Sequence, residues 1–145
     1  MIIADLAEGK TVMSLVKTLS FNAARLNMIA QNVANSETPG YRTRHLDTKG
    51  FQKALRTALD RQDRQPGRAF VVRSGREVTT NAAGFLEVTP SVEPAANILF
   101  HDGTNMSLEQ QMSDLAETGM IQDLATTLLR GSYAGLRKAI RGRVS

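Results

Sequence analysis

The sequence predicts a mainly α fold: long N- and C-terminal helices paired as a coiled-coil-like bundle, with a short second helix and an irregular, β-like middle segment. Three observations carry this reading. Apolar residues between Val12 and Val33 recur at alternating steps of three and four, the a/d seam of a helix that packs along another helix. A second apolar stripe runs from Leu108 to Ile140 at the other end of the chain. Aromatic residues make up only 5% and there is no Trp, so the burial a core needs must come from Leu, Ile, Val, Met and Ala, as it does in helical bundles. A chain of 145 residues holds one domain with a modest core.

The first element expected is a short arm over residues 1–9, ending at Gly9. A helix should then begin near Lys10 or Thr11 and run to about Asn35, roughly 38 Å at ~1.5 Å per residue. Its seam is Val12, Leu15, Leu19, Leu26, Ile29 and Val33, with Asn22 filling the remaining position. A polar residue on such a seam either fixes register or sits at a loosely packed layer. The stop is strong. Asn35 suits a left-handed cap, Pro39 cannot continue a helix, and Pro39-Gly40 suits the centre of a type II turn. Tyr41 follows, with a ring that can pin the turn against the helix end and a hydroxyl that needs a partner.

A second helix is expected over residues 47–60. Asp47 is its cap, and Phe51, Ala54, Leu55, Ala58 and Leu59 form its apolar stripe; Gly50 weakens its first turn. Residues 60–68, polar and containing Pro66-Gly67, read as a loop. Three short β-like runs follow at 69–72, 76–80 and 85–89, enough for a hairpin that orders only against a neighbour. After a Pro-containing approach over 90–106, Ser107 to Gln110 fits a capping box. The last helix then carries Leu108, Met112, Leu115, Ile121, Leu124, Ala125, Leu128, Leu129, Tyr133, Leu136 and Ile140, and ends in Arg137, Lys138, Arg141 and Arg143, which complement the helix dipole. Gly119, Gly131 and Gly135 weaken it locally and permit close helix approach. The organisation is thus residues 1–60, a variable 61–104 and 105–145, the two ends forming one assembly domain.

No chemistry is legible. The chain has no Cys, which excludes disulfides, thiolate zinc sites and Cys nucleophiles. His45 and His101 lie in different segments without metal-ligand spacing, and phosphate-binding glycine loops and nucleophile motifs are absent. The expectation is no catalytic, cofactor or metal site. The net charge of +4 reads first as solubility. The basic C-terminus lacks the interleaved aromatics of a nucleic-acid surface. The early Asp5 and Glu8 do not suit a cleaved secretory signal, and no stretch approaches the ~20 apolar residues of a membrane span.

Residues 26–41, LNMIAQNVANSETPGY, resemble the N-terminal signature of the bacterial flagellar axial proteins (rod, hook and hook-associated) and, within that set, the proximal rod proteins. The positions that carry the likeness are Asn32, Ala34, Asn35, Thr38, Pro39, Gly40 and Tyr41. Residues 43–55 are similar to the run that follows in those rod chains, departing from it at Thr48 and Gly50. Residues 102–117 resemble the family's approach to its last helix, with Gln111 replacing an acidic residue before Met112; residues 119–122 depart from the family's Gln-x-x-Tyr. The resemblance implies a structural subunit of the periplasmic rod, exported by the flagellar type III system without a cleaved signal. It implies as neighbours the other rod subunits, the adaptor FliE, the membrane ring and the export gate. It implies no nucleic acid and no membrane insertion.

The residues themselves point the same way. Terminal helices that bury the 12–33 seam against the 108–140 stripe leave apolar faces for the next copy, a heterologous contact that propagates as a helical array. Exposed faces of this kind in a free monomer imply partial disorder of both ends. Two other readings stay open: a basic helical nucleic-acid-binding module, and a closed coiled-coil adaptor of fixed stoichiometry.

Overall fold

The computed structural model describes residues 2–92 and 108–142, with side chains described outside residues 2–8. Three helices dominate. α1 spans Ile2–Ala34, α2 spans Thr48–Arg64 and α3 spans Leu108–Gly142. Between them lie four short strands: β1 (Arg44–His45), β2 (Val78–Thr80), β3 (Leu86–Val88) and β4 (Ser91–Val92). β1 pairs antiparallel with β4, and β2 with β3. The fold class is the one the sequence predicts.

Helix α1 begins at Ile2, so the expected arm over 1–9 is instead its first two turns. Residues 4–8 are Ala, Asp, Leu, Ala and Glu, mostly good helix formers. One interior glycine costs about 1 kcal/mol, too little to stop a helix with that sequence on its far side. The other end also differs from expectation. Asn35 does not enter the left-handed region; among the described residues only glycines have positive φ. Its N–H donates to the Gln31 carbonyl at 3.1 Å and its Nδ2 donates to the same oxygen at 2.8 Å, so Asn35 prolongs the helical pattern by one residue. The reversal is left to the turn beyond. There the Tyr41 N–H donates to the Thr38 carbonyl at 3.1 Å and Gly40 takes φ +76°, as a type II turn requires of its third residue.

Asp47 caps α2, its carboxylate accepting from the Gly50 N–H at 2.8 Å. Gly50 is no accident there: a Cβ would stand 2.3 Å from Asp47 Oδ2 and 2.7 Å from Ser74 Oγ. The helix runs four residues past the expected end because Arg61, Gln62 and Arg64 are good helix formers, and it stops before Pro66-Gly67. Lys10 of α1 pairs with Asp63 in this extra turn.

The core lies where α1, α2 and the middle segment meet. Phe21, Met28 and Ile29 of α1 join Leu46, Phe51 and Ala58, and then Phe70, Val72 and Val78. The rings of Phe21 and Phe51 stack with centroids 4.0 Å apart. The hairpin β2–β3 is therefore not alone in water, which is why so short a ladder persists. The run at 69–72 supplies core residues without becoming a strand: Thr80 Oγ1 accepts from the Val72 N–H and donates to the Val72 carbonyl, both at 3.0 Å, in place of ladder partners. Lys17 reaches the hairpin turn and donates to the Gly84 carbonyl. Helix α3 is placed differently. Its extensive contact among the described elements is with α1 and with no other.

Candidate functional site

The signature stretch folds into a hydrogen-bonded knot around Asn32. This side chain is 0% exposed. Its Oδ1 accepts from the Tyr41 hydroxyl at 3.0 Å and from the Arg44 N–H at 3.0 Å; its Nδ2 donates to the Arg44 carbonyl at 2.8 Å and to Gln111 Oε1 at 3.3 Å. One amide thus ties together the end of α1, the Pro39-Gly40 turn, β1 and the start of α3. The chain can make this knot because Pro39-Gly40 reverses it tightly enough to bring Tyr41 and Arg44 back onto the helix they left. Thr38 Oγ1 donates to Asn35 Oδ1 at 3.4 Å and steadies the same turn.

The helices α1 and α3 pair as expected, but only partly through the expected faces. On α3 the residues buried against α1 are Thr118 and Ala125, with Gln111, Asp114, Ile121, Gln122 and Leu129 half-buried along the same helical line. On α1 the partners include Arg25, whose Nη2 lies 3.5 Å from Asp114 Oδ1 and 3.4 Å from Glu117 Oε2. The Thr118 hydroxyl donates to its own helix at the Asp114 carbonyl, 2.6 Å away. Asn22 is buried, and among the described residues its Nδ2 meets no hydrogen-bond partner, nor does the buried Gln122 Oε1 on α3.

The expected seam residues therefore divide. Ile29 is in the core and Val33 packs against it. Val12, Leu15, Leu19 and Leu26 are half-buried, as are Leu129 and Leu136. Leu108, Met112, Leu115, Leu128, Tyr133 and Ile140 are exposed, Ile140 by 65%. Of the 108–140 stripe, α1 covers Ala125 and half-covers Ile121 and Leu129, while most of the large apolar side chains stay outside. Counting apolar residues finds the greasiest face of a helix, whereas the α1–α3 contact also draws on small and polar side chains, Gln111, Asp114, Thr118 and Gln122, that such a count passes over. Among the described residues, Gly119, Gly131 and Gly135 have no atom of another element within 4 Å of where a Cβ would stand, so they serve no close approach to α1 or α2. The capping box rests on Ser107, and His101 and the 102–106 motif likewise lie outside the described residues.

His45 meets a small polar cluster. Its Nδ1 lies 3.3 Å from Ser91 Oγ and 3.8 Å from Glu77 Oε1. Ser91 donates to Glu77, which also accepts from the Asp47 N–H at 2.9 Å. Both the serine and the carboxylate meet the same ring nitrogen, so no proton relay runs through the imidazole. The cluster fastens β1 and β4 to the start of α2.

The residues that sequence reasoning passed over are those that hold the helices together: the role of Asn32, and the buried Lys17 and Arg25. A repeat of polar residues at positions 18, 22, 25 and 32 was the available signal for a polar contact face.

Comparison with known proteins turns on the same stretch. The family described as flagella basal body rod protein matches residues 14–42, which contain most of α1, Asn32 and the turn to Tyr41. Relatives that carry the name flagellar basal body rod protein FlgB match along most of the chain. The one from Salmonella typhimurium is 22% identical over 134 residues, covering 87% of this chain and 89% of its own length. The one from Aeromonas hydrophila is 23% identical, covering 86% and 87%, and that of Escherichia coli K12 is 23% identical, covering 86% and 88%. The likeness reaches well beyond the signature at both ends, and over most of its length the chain is similar to flagellar basal body rod proteins.

Proposed function

We propose that this chain is a structural subunit of the flagellar basal-body rod that assembles in a helical array through its terminal helices and transmits torque from the motor ring to the hook. The observation that carries the reading is the placement of α3. A helix of 35 residues packs extensively on one neighbour and leaves two apolar stripes uncovered. Such patches mark interaction sites in soluble chains. Long helices packed side by side at interior density resist shear and twist, which is what a drive shaft needs.

In this reading the neighbours are other rod subunits, an adaptor of the FliE kind and the membrane ring with its export gate. The chain reaches the periplasm through the flagellar export system. No helix among the described residues is long and apolar enough to cross a membrane. The test is location. A tagged full-length chain should co-purify with detergent-extracted basal bodies in fixed proportion to the hook, and its loss should abolish swimming. Basal bodies that lack it, in cells that swim only when it is present, would overturn the rod assignment.

A further inference from the structure

The outer face of α2 borders a groove that the rod reading leaves without a role. Between α2 and residues 71–75 it has a volume of about 670 Å³, with Ala54, Ala58 and Val71 as its apolar floor. Lys53, Arg61 and Arg73 stand around it. A second hollow of about 380 Å³ shares Thr57 and Arg61 with the first and adds Arg64 and Arg68, against a single carboxylate, Asp60. Among the described residues, none of these five cations is in an ion pair. Five like charges around a half-apolar trough repel one another, and an anionic amphipathic segment laid along it relieves that repulsion while it covers the floor.

The same molecule carries such a segment. From Leu108 to Leu129, α3 has Glu109, Asp114, Glu117 and Asp123 and no Lys or Arg, whereas all its cations lie from Arg130 onward. Thr118 and Ala125 turn toward α1. The side facing away holds Met120, 72% exposed, and Leu124, 60% exposed, flanked by Glu117 and Asp123. This is an apolar ridge with acidic edges, opposite in sign and matched in polarity to the groove. Groove and ridge lie on different elements of one chain, so neither excludes the other.

We infer that the basic groove along α2 receives the acidic outer face of α3, residues 109–124, from a second copy of this chain. The contact rests on the reading that copies assemble, and it names the two surfaces that meet. It is head-to-tail: each copy offers one groove and one ridge, so the contact repeats without closing. Met120 and Leu124 enter the groove over Ala54, Ala58 and Val71, and the charges around them set the register.

The test is a charge exchange in the full-length chain. One variant carries Arg61→Glu and Arg73→Glu; the other carries Glu109→Lys and Asp123→Lys. All four positions are exposed, and none takes part in an ion pair among the described residues, so unfolding midpoints should match the parent. Self-association followed by sedimentation velocity at low salt should weaken about tenfold or more in each variant alone, and an equimolar mixture of the two should restore it. A parent chain that does not self-associate, a variant that associates as the parent does, or a mixture that stays weak would overturn the inference. The last result would mean that the groove takes an acidic segment of a different protein. Incorporation into basal bodies separates this from the rod assignment. Groove variants that still enter the rod remove the contact and leave the assignment standing; a chain that never enters the rod removes the assignment, even if the charge exchange works.

Discussion

Asn32 shows how much a single amide can hold. Both amide hydrogens and both lone pairs of Oδ1 are used, and two of the four partners are the backbone N–H and carbonyl of Arg44. Removing one partner of a buried hydrogen bond costs more than the bond contributes, because the other group loses water and gains nothing. Asn32→Ala leaves the Arg44 N–H and carbonyl and the Tyr41 hydroxyl to find new partners, and should cost about 2–4 kcal/mol in urea unfolding. Tyr41→Phe removes one bond while Oδ1 keeps the Arg44 N–H, and should cost about 0.5–1.5 kcal/mol. Equal losses in the two variants would mean that the knot is merely a turn contact. Lys17 makes a second residue-scale case. Burial lowers the pKa of its ammonium below 10.5. Below its folded pKa the amine is charged in both states and the cost of burial is constant. Between that pKa and 10.5 the unfolded chain binds more protons, so stability rises with pH across this window. Lys17→Met has no such proton to lose. The stability of the variant relative to the parent should therefore fall as pH rises toward 10.5, in unfolding series run side by side; a constant difference would refute the burial argument.

At the scale of elements, the three helices are held unequally. α1 and α2 share a stacked aromatic pair and an apolar core with the hairpin, whereas α3 rests on α1 through Thr118, Ala125 and the Arg25 ion pairs. A helix with one polar contact face opens without unfolding the rest. In native-state hydrogen exchange, amides over 118–129 should exchange at least about tenfold faster than those over 21–29. Arg25→Ala should speed exchange in α3 further and leave α2 unchanged; protection of α3 equal to that of α1 would rule out a separable helix. This inequality also explains what could be read in the sequence. Helix existence, the Asp47 cap, the Pro39-Gly40 reversal and the hairpin were legible because each is written in local chemistry. The face that α3 turns to α1 was legible only in part, at Ile121, Ala125 and Leu129. Leu108, Met112 and Leu128 outrank Gln111, Thr118 and Gln122 on any scale of hydrophobicity, yet of the two sets the polar one is covered. A periodicity argument assumes that the apolar face is buried within the same molecule, and in this helix that premise does not hold. The early start of α1 escaped for a simpler reason: Gly9 looks like a boundary, but an isolated glycine costs less than ending a helix.

On the scale of the whole molecule, the question is whether the uncovered surface serves one contact or several. The exposed large apolar residues of α3 from Leu108 to Leu128 fall into two sets. Leu108, Met112 and Leu115 follow steps of four and three on one side of the covered line. Met120, Leu124 and Leu128 follow steps of four, and the five-residue step from Leu115 to Met120 turns them about 140° around the axis. A closed dimer uses one self-complementary patch, so one set would be idle. An array that grows without closing uses two different patches, and both sets are needed. Met112→Asp and Leu128→Asp test this one set at a time. Both residues are about half exposed, so either change should shift the unfolding free energy of the free chain by no more than about 0.5 kcal/mol. Leu26 and Leu129 are less suitable probes, because both are half-buried and a charge there confounds folding with assembly. In an array, Met112→Asp and Leu128→Asp should each remove the chain from purified basal bodies and stop swimming while expression and fold persist. If only one of them does so, the contact is of the closed kind, and the second stripe is ordinary exposed surface.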